Sequence, residues 1–495
     1  MIFIPFRVPF YSKKGVVSSE HPLASVIGAE VLRNGGNAVD AAVATSFALA
    51  VTLPHLSGIG GDFFALVRDS NGEVSFFDGG GYAPTGLSME FLETAGYPLM
   101  PERGPLSVNV PGMVFGLYNM WKAFGELEWR NLIKPAMYLA SKGFPATQSL
   151  VSAINNVSQI LAMDNGSAET YLLSKPSKPG DLVKFPRLAK ALELISEDPR
   201  NFYEGEIAEA ITEYMEKKGG LISLDDLKSF KPERRKPISS EYRGVIVYET
   251  PPNTQGITTL HILMILEDYE FKEIKASSFT RVRAFIKACE LAYKIRDIHI
   301  GDPRYMRYKV EEILSKDFLT GEYESLSSNH MYFFDKADTT FFAIADQRDM
   351  IVAGIQSIFY IFGSGITEPK YQITLNNRAS GFTLNKRSVN TPAPRKKPLH
   401  TLSAMIIESE KEDRVISLGL SGGHLRPQLH AWILTNIVDF GMSIQEAIEY
   451  PRFAFLYPTK RLLLERGIET PDNLSLIHIS EPTRPLYISY AVFCL

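Results

Sequence analysis

The sequence predicts an α+β fold, and three observations carry that expectation. Strand-like runs gather near both ends of the chain, residues from about 114 to 330 are mainly helical, and no repeat of fixed period interrupts the order. His21 to Asn34 has helical spacing and meets Gly35-Gly36, a C-cap pair. A second helix is expected over about Ala38 to Val51, alanine-rich enough to lie close against a sheet. Phe63 to Arg68 and Glu73 to Phe77 flank Asp69-Ser70-Asn71-Gly72, the pattern of a β-hairpin. Gly58-Ile59-Gly60-Gly61 follows a helix and precedes a strand. A dinucleotide loop needs the reverse order, so no nucleotide site is expected there.

The helical middle is punctuated by Pro145, Pro176, Pro179 and Pro251-Pro252, with a short strand at Val245 to Tyr248. Met331 to Lys336 reads as an exposed lead-in to the next region. From Thr339 the pattern becomes strand, turn (Asp346-Gln347-Arg348-Asp349) and strand (Ile351 to Ile355). Leu402 to Ile407 and Val415 to Leu420 are further strands, and Leu429 to Val438 is a helix ahead of Gly441.

With 495 residues, 45% hydrophobic and 22% charged, the composition is that of an ordinary globular protein able to bury a large core. A net charge of −4 and a pI near 6.2 point away from nucleic acid. The short basic cluster Arg395-Lys396-Lys397, between Pro394 and Pro398, is expected to be a solvated loop. Two cysteines make no disulfide framework, and Cys289, in a helical pattern, is expected to be a small core residue. Met1 to Arg7 is apolar but short and broken by Pro5, unlike a secretory signal, and no run is long enough to span a membrane. A cytoplasmic location is expected. No histidine–carboxylate spacing resembles a ligand set, so no metal or other cofactor is expected.

The chemistry concentrates in two places. Thr339-Thr340 heads the apolar run Phe341-Phe342-Ala343-Ile344-Ala345, and Ser421-Gly422-Gly423 follows the strand Val415 to Leu420. A threonine hydroxyl is a poor nucleophile until a base takes its proton. A cut between Asp338 and Thr339 would free an α-amine with a pKa of roughly 8, basic enough to serve. A glycine pair after a strand can turn its N–H groups toward a developing oxyanion. Alone, two threonines before aromatic and apolar residues are usually only a good β-strand.

The wider pattern is more specific. Asn34-Gly35-Gly36 before Asn37-Ala38-Val39-Asp40-Ala41-Ala42, Gly219-Gly220-Leu221 through Asp225-Asp226-Leu227, Tyr242-Arg243-Gly244, Pro251-Pro252-Asn253, Gly301-Asp302-Pro303 and Lys397-Pro398-Leu399 occur in that order. The set resembles the γ-glutamyltransferase (γ-glutamyltranspeptidase) family from about Gly15 to Asn473. The resemblance implies an N-terminal-nucleophile hydrolase: a four-layer αββα sandwich, made as a precursor that cuts itself into two subunits that stay together. Residues 1–338 would be the large-subunit region and 339–473 the small-subunit region of a single domain.

By the same resemblance, Asp338 precedes the scissile bond and Thr339 is the nucleophile, with Thr340 supporting it. Ser357 stands where relatives place a threonine that bonds the nucleophile, although a solvent-facing strand serine fits as well. Gly422 and Gly423 match the oxyanion-hole glycines, and Phe341 replaces a common histidine. The acyl pocket departs from the family. The arginine that pairs with a substrate α-carboxylate falls at about Gly80, and the carboxylate that receives the α-ammonium falls at Gly381. The usual serine pair is His400 and Thr401. Arg378 could bind a carboxylate or simply sit at the surface, and His400 could donate to substrate or be a structural loop residue. The expected reaction is cleavage of a γ-glutamyl-type amide through an acyl-enzyme. The alternatives are a cephalosporin- or glutaryl-acylase-like amidase, and a non-catalytic relative retaining the fold. The implied partners are a small amide or peptide substrate and the precursor's own two subunits.

Residues 474–495 do not continue the family pattern. Leu474 to Arg484 and Ile488 to Leu495 match the translation of a transposase-type sequencing adapter and its primer. This tail is expected to be an artefact of sequencing rather than gene.

Overall fold

A computed structural model describes residues 7–325, 339–470 and 490–494. The expected lead-in Met331 to Lys336, residue Asp338 and most of the tail lie outside the described residues.

Two antiparallel sheets organise the chain. The first contains β1 (Gly15–Ser19), β2 (Asp62–Arg68), β3 (Val74–Gly79), β4 (Glu233–Arg235), β7 (Thr340–Asp346) and β8 (Ile351–Ser357), in the order β1-β7-β8-β2-β3-β4. The second contains β5 (Ile238–Tyr242), β6 (Val245–Glu249), β9 (Met405–Ser409), β10 (Arg414–Leu420) and β11 (Tyr490–Cys494), in the order β11-β10-β9-β6-β5.

Strand side chains alternate between faces. Phe64, Leu66, Phe341, Ala343, Ile351, Ala353 and Ile355 of the first sheet therefore meet Ala404 and Ile406 in one core. The opposite face, with Phe63, Ala65, Phe342, Ile344 and Val352, packs on α1 (Pro22–Arg33), α2 (Ala38–Thr52) and α3 (Met113–Phe124). A third core joins Met405, Ile407, Ile416 and Leu418 to α4 (Gly256–Leu266), α5 (Phe279–His299) and α6 (Arg426–Val438). Strands buried on both faces need near-continuous apolar runs, which is what β2 and β7 supply.

Small residues set the close approaches. Every residue of α2 is buried, and its start is held by a capping box between Asn37 and Asp40. Asp346, at the end of β7, accepts the Ala38 amide at 2.9 Å, tying that helix to the first sheet. A Cβ on Gly419 would stand 2.3 Å from the Phe341 ring, so the facing strand must carry glycine there. Phe341 thus serves as inter-sheet packing.

Several expectations shift. The strand expected over Leu402 to Ile407 begins at Met405, and the helix expected from Leu429 begins at Arg426, because Pro427 suits a first helical turn. Lys396 and Lys397 are not in a solvated loop. Both are buried: Lys396 Nζ donates to the Val389 carbonyl and lies over the Tyr305 ring, and Lys397 Nζ pairs with Asp78 at 2.8 Å. Cys289 is buried in the third core. Residues 490–494 pair with the edge of β10. A strand edge of unpaired amides and carbonyls accepts any extended segment through its backbone alone, whatever its origin.

Candidate active site

Antiparallel register assembles the candidate residues in a row. Thr340 pairs with Gln356 across β7 and β8, so Thr339, one residue earlier, stands across from Ser357. Ser357 in turn pairs with Asp62, the first residue of β2. Phe63 pairs with Gly79, which places Gly80 across from Asp62. By alternation, Thr339, Ser357 and Asp62 share the face of Phe341, Ile355 and Phe64, the one turned toward the second sheet. Residues distant in sequence thus stand at one end of the inter-sheet interface.

At one end of this row are hydroxyls and backbone amides. Thr339 is 1% exposed. Its carbonyl accepts from Ser421 Oγ, which also lies 2.6 Å from Glu20 Oε1. Beyond Ser421 the chain turns from β10 into α6 through Gly422 and Gly423, and Gly423 has φ +49°, a conformation that favours glycine. Gln255 holds the turn, donating to the carbonyls of both Gly423 and Thr401 at 2.7 Å. The strand-to-helix turn and an oxyanion cradle therefore use the same backbone geometry. Thr340 Oγ1 is buried and has no hydrogen-bond partner among the described residues. Ser357 is 1% exposed, not solvent-facing, and its Oγ accepts the Phe359 amide at 2.7 Å.

At the other end is a charged cluster. Arg378 is fully buried, not a surface residue. Its Nε donates to Asp62 at 3.0 Å, Nη1 lies 3.3 Å from Thr401 Oγ1, and the guanidinium stacks 4.1 Å over Phe359. Phe359 itself has φ +83°, an uncommon conformation for an aromatic residue. Nη2 of Arg378 is buried with no hydrogen-bond partner among the described residues.

His400 Nδ1 accepts the Leu402 amide, so Nε2 carries the proton and donates to Asp62 at 3.0 Å. Burial, aided by the Arg378 charge, pushes the His400 pKa down to about 4 and keeps the ring neutral. Burial alone would raise the Asp62 carboxyl, but His400, Arg378 and the Gly81 amide together hold it below the usual carboxylate range. Burial lowers Arg378 to about 10, still protonated at neutral pH.

Gly80 leaves no room for a side chain, since a Cβ there would stand 2.5 Å from Phe64 Cζ. Phe64 in turn packs edge-on against His400, with centroids 4.6 Å apart. Gly381 is less crowded, its nearest neighbour to a Cβ being the Leu399 carbonyl at 3.2 Å. Behind the cluster, His424 is kept neutral by burial and by Arg296, Arg378 and Arg426, all three arginines fully buried.

A surface concavity of about 110 Å³, lined by Lys14, Gly35, Asp346 and Arg348, lies at the opposite end of β7. Among the described residues, no group of three or more histidine, cysteine or acidic side chains is placed to hold a metal ion. No helix among them is long and apolar enough to cross a membrane.

The family profile described as gamma-glutamyltranspeptidase matches residues 24–476. The chain belongs to the gamma-glutamyltranspeptidase family. It is 34% identical over 450 residues to the "Glutathione hydrolase-like YwrD proenzyme" of Bacillus subtilis, covering 89% of this chain and 85% of the relative. It is 31% identical to the "Oxamate amidohydrolase proenzyme" of Klebsiella pneumoniae, with 89% and 85% covered. The crystal structure of cephalosporin acylase from Bacillus halodurans superposes with a TM-score of 0.84 at 30% identity, covering 95% of this chain and 90% of that one. As a gamma-glutamyltranspeptidase-family member, the chain is an amidohydrolase/transferase of the N-terminal-nucleophile type.

Reading residues singly missed Asp62, Gln255 and Glu20. Asp62 had one local signal, an acidic residue opening an otherwise apolar buried strand. Gln255 and Glu20 had none.

Proposed function

We propose that this protein is an autoprocessed threonine amidohydrolase whose acyl substrates carry a carboxylate but no α-ammonium, as in glutaryl amides. The supporting observation is Nη2 of the fully buried Arg378, which has no hydrogen-bond partner among the described residues, combined with glycine at both positions expected to grip an amino-acid head group. A carboxylate on the acyl group would give that nitrogen a charge-assisted partner. At Gly381 nothing would balance an α-ammonium, and an uncompensated buried charge costs several kcal/mol, on the order of 3–5. The names oxamate amidohydrolase and cephalosporin acylase agree with amides lacking a γ-glutamyl group.

In maturation, Thr339 Oγ attacks the Asp338 carbonyl carbon and the Asp338–Thr339 C–N bond breaks. The hydroxyl proton passes to the new α-amine, and water hydrolyses the resulting ester. In turnover the same hydroxyl attacks the substrate amide while the α-amine takes its proton. Gly422 and Gly423 N–H groups steady the oxyanion, the α-ammonium hands its proton to the leaving nitrogen, and the substrate C–N bond breaks to free a neutral amine. Water then releases the acid. The proposal includes the four-layer αββα arrangement, supported by one core between the sheets and one outside each. It also includes the 1–338 and 339–473 subunit regions.

Denaturing electrophoresis of the purified chain should give two fragments, the smaller beginning at Thr339. Glutaryl p-nitroanilide should be hydrolysed in preference to the γ-glutamyl anilide. Faster γ-glutamyl turnover would instead favour the activity in the Bacillus subtilis relative's name.

A further inference from the structure

We propose that Glu20, acting through Ser421, is a positioning residue for Thr339. The inference rests on the threonine reading above. Ser421 Oγ contacts two oxygens, Glu20 Oε1 at 2.6 Å and the Thr339 carbonyl. Ser421 Oγ is the donor in both contacts, its one hydrogen shared between the two acceptors as a three-centre bond, and so ties the Glu20 carboxylate to the Thr339 carbonyl.

The placement suits the task. Glu20 follows β1, whose Ser19 pairs with Phe342 of β7, so the glutamate arrives beside the start of the strand that carries Thr339. Ser421 immediately precedes Gly422, so one hydroxyl links the candidate nucleophile's main chain to the candidate oxyanion turn. The link fixes the distance between attacking oxygen and oxyanion donors, where a displacement of about 1 Å can cost on the order of a hundredfold in rate. Glu20 is half-buried, so its replacement disturbs little of the core.

The test is glutaryl anilide hydrolysis and self-cleavage by the full-length protein and its Glu20 variants. Glu20→Ala should lower kcat by about ten- to a hundredfold with KM changed less than about threefold. Glu20→Gln should restore the rate, because its amide oxygen still accepts from Ser421. The double variant Glu20→Ala/Ser421→Ala should be no worse than the poorer single variant, as expected of two members of one link. A Glu20→Ala enzyme with unchanged kcat, a Glu20→Gln enzyme as impaired as Glu20→Ala, or fully additive losses would each overturn the inference. Thr339→Ala separates the two ideas: if it stays active the threonine reading fails, whereas inactivity beside an unaffected Glu20→Ala defeats only the role of Glu20.

Discussion

At the Thr339 end of the polar row the groups are hydroxyls and main-chain amides, whereas at the Gly80 end they are a buried aspartate, arginine and neutral histidine. The first set, Thr339, Ser357, Gly422 and Gly423, follows the pattern that the family resemblance implies. The second has glycine at the two positions where the resemblance implies charged groups, beside the Asp62–Arg378–His400 cluster. Bond cleavage draws on backbone geometry, which many side chains tolerate. Recognition of the acyl group draws on side-chain charge, which a few substitutions rewrite. One end can change while the other persists, and the predictions test that separation.

The largest effect is expected at the hydroxyl end. Thr339→Ala should abolish self-cleavage and lower turnover by at least about a thousandfold for every acyl group, read by electrophoresis and anilide hydrolysis. If some substrates are still cleaved, the two ends are not separable in this way.

Arg378→Met should act selectively. It should raise KM for the glutaryl anilide by about ten- to a hundredfold, far more than for an uncharged acyl anilide of equal length. Equal losses on both substrates would assign Arg378 to structure alone. Because the variant strands the Asp62 charge, its melting temperature should be compared with that of Arg378→Met/Asp62→Asn, which should recover part of any loss.

A third change tests whether the recognition end is simply missing its arginine. Gly80→Arg should not raise γ-glutamyl activity, because the Phe64 ring occupies the space a side chain would need. Overpacking should cost about 1–3 kcal/mol, visible as a lower denaturation midpoint. A gain in γ-glutamyl turnover would show that one charge suffices.

The smallest effect is expected from acid. His400, His21 and His261 are held neutral by burial at pKa values of about 4, whereas an unfolded imidazole takes its proton near 6.5. Between those values the unfolded chain binds more protons. Stability from these groups is therefore complete above pH 6.5 and falls as the pH drops toward 4. The melting temperature should decline across that window, and His400→Gln should make the decline shallower. An unchanged slope would place His400 outside this linkage.

Particular residues show how far a linear reading extends. The Thr339-Thr340 pair and the Ser421-Gly422-Gly423 turn stood out because each concentrates its chemistry on neighbouring residues. Gly80 and Gly381 stood out as expected departures from the resemblance, because the lack of a side chain can be read without knowing the surroundings. Asp62 was not legible as a hub, since its side-chain partners Arg378 and His400 lie more than three hundred residues away. Lys396 and Lys397 misled for a related reason: in sequence they are a basic run beside prolines, and only folding brings Asp78 and the Tyr305 ring to them. Pairing partners of charges are properties of space.

What the chain alone determined is therefore local: the alternation that makes β2 and β7 double-sided, the proline and glycine signals that end elements, and the kinds of group available for nucleophilic attack. What the tertiary structure decided is adjacency, namely that Ser357, Asp62 and Gly80 follow Thr339 across successive strands and that Glu20 reaches it through Ser421. Local order comes from backbone sterics and hydrophobic periodicity, which operate over a few residues. Adjacency comes from strand register and burial, which couple segments with no short-range signal for one another.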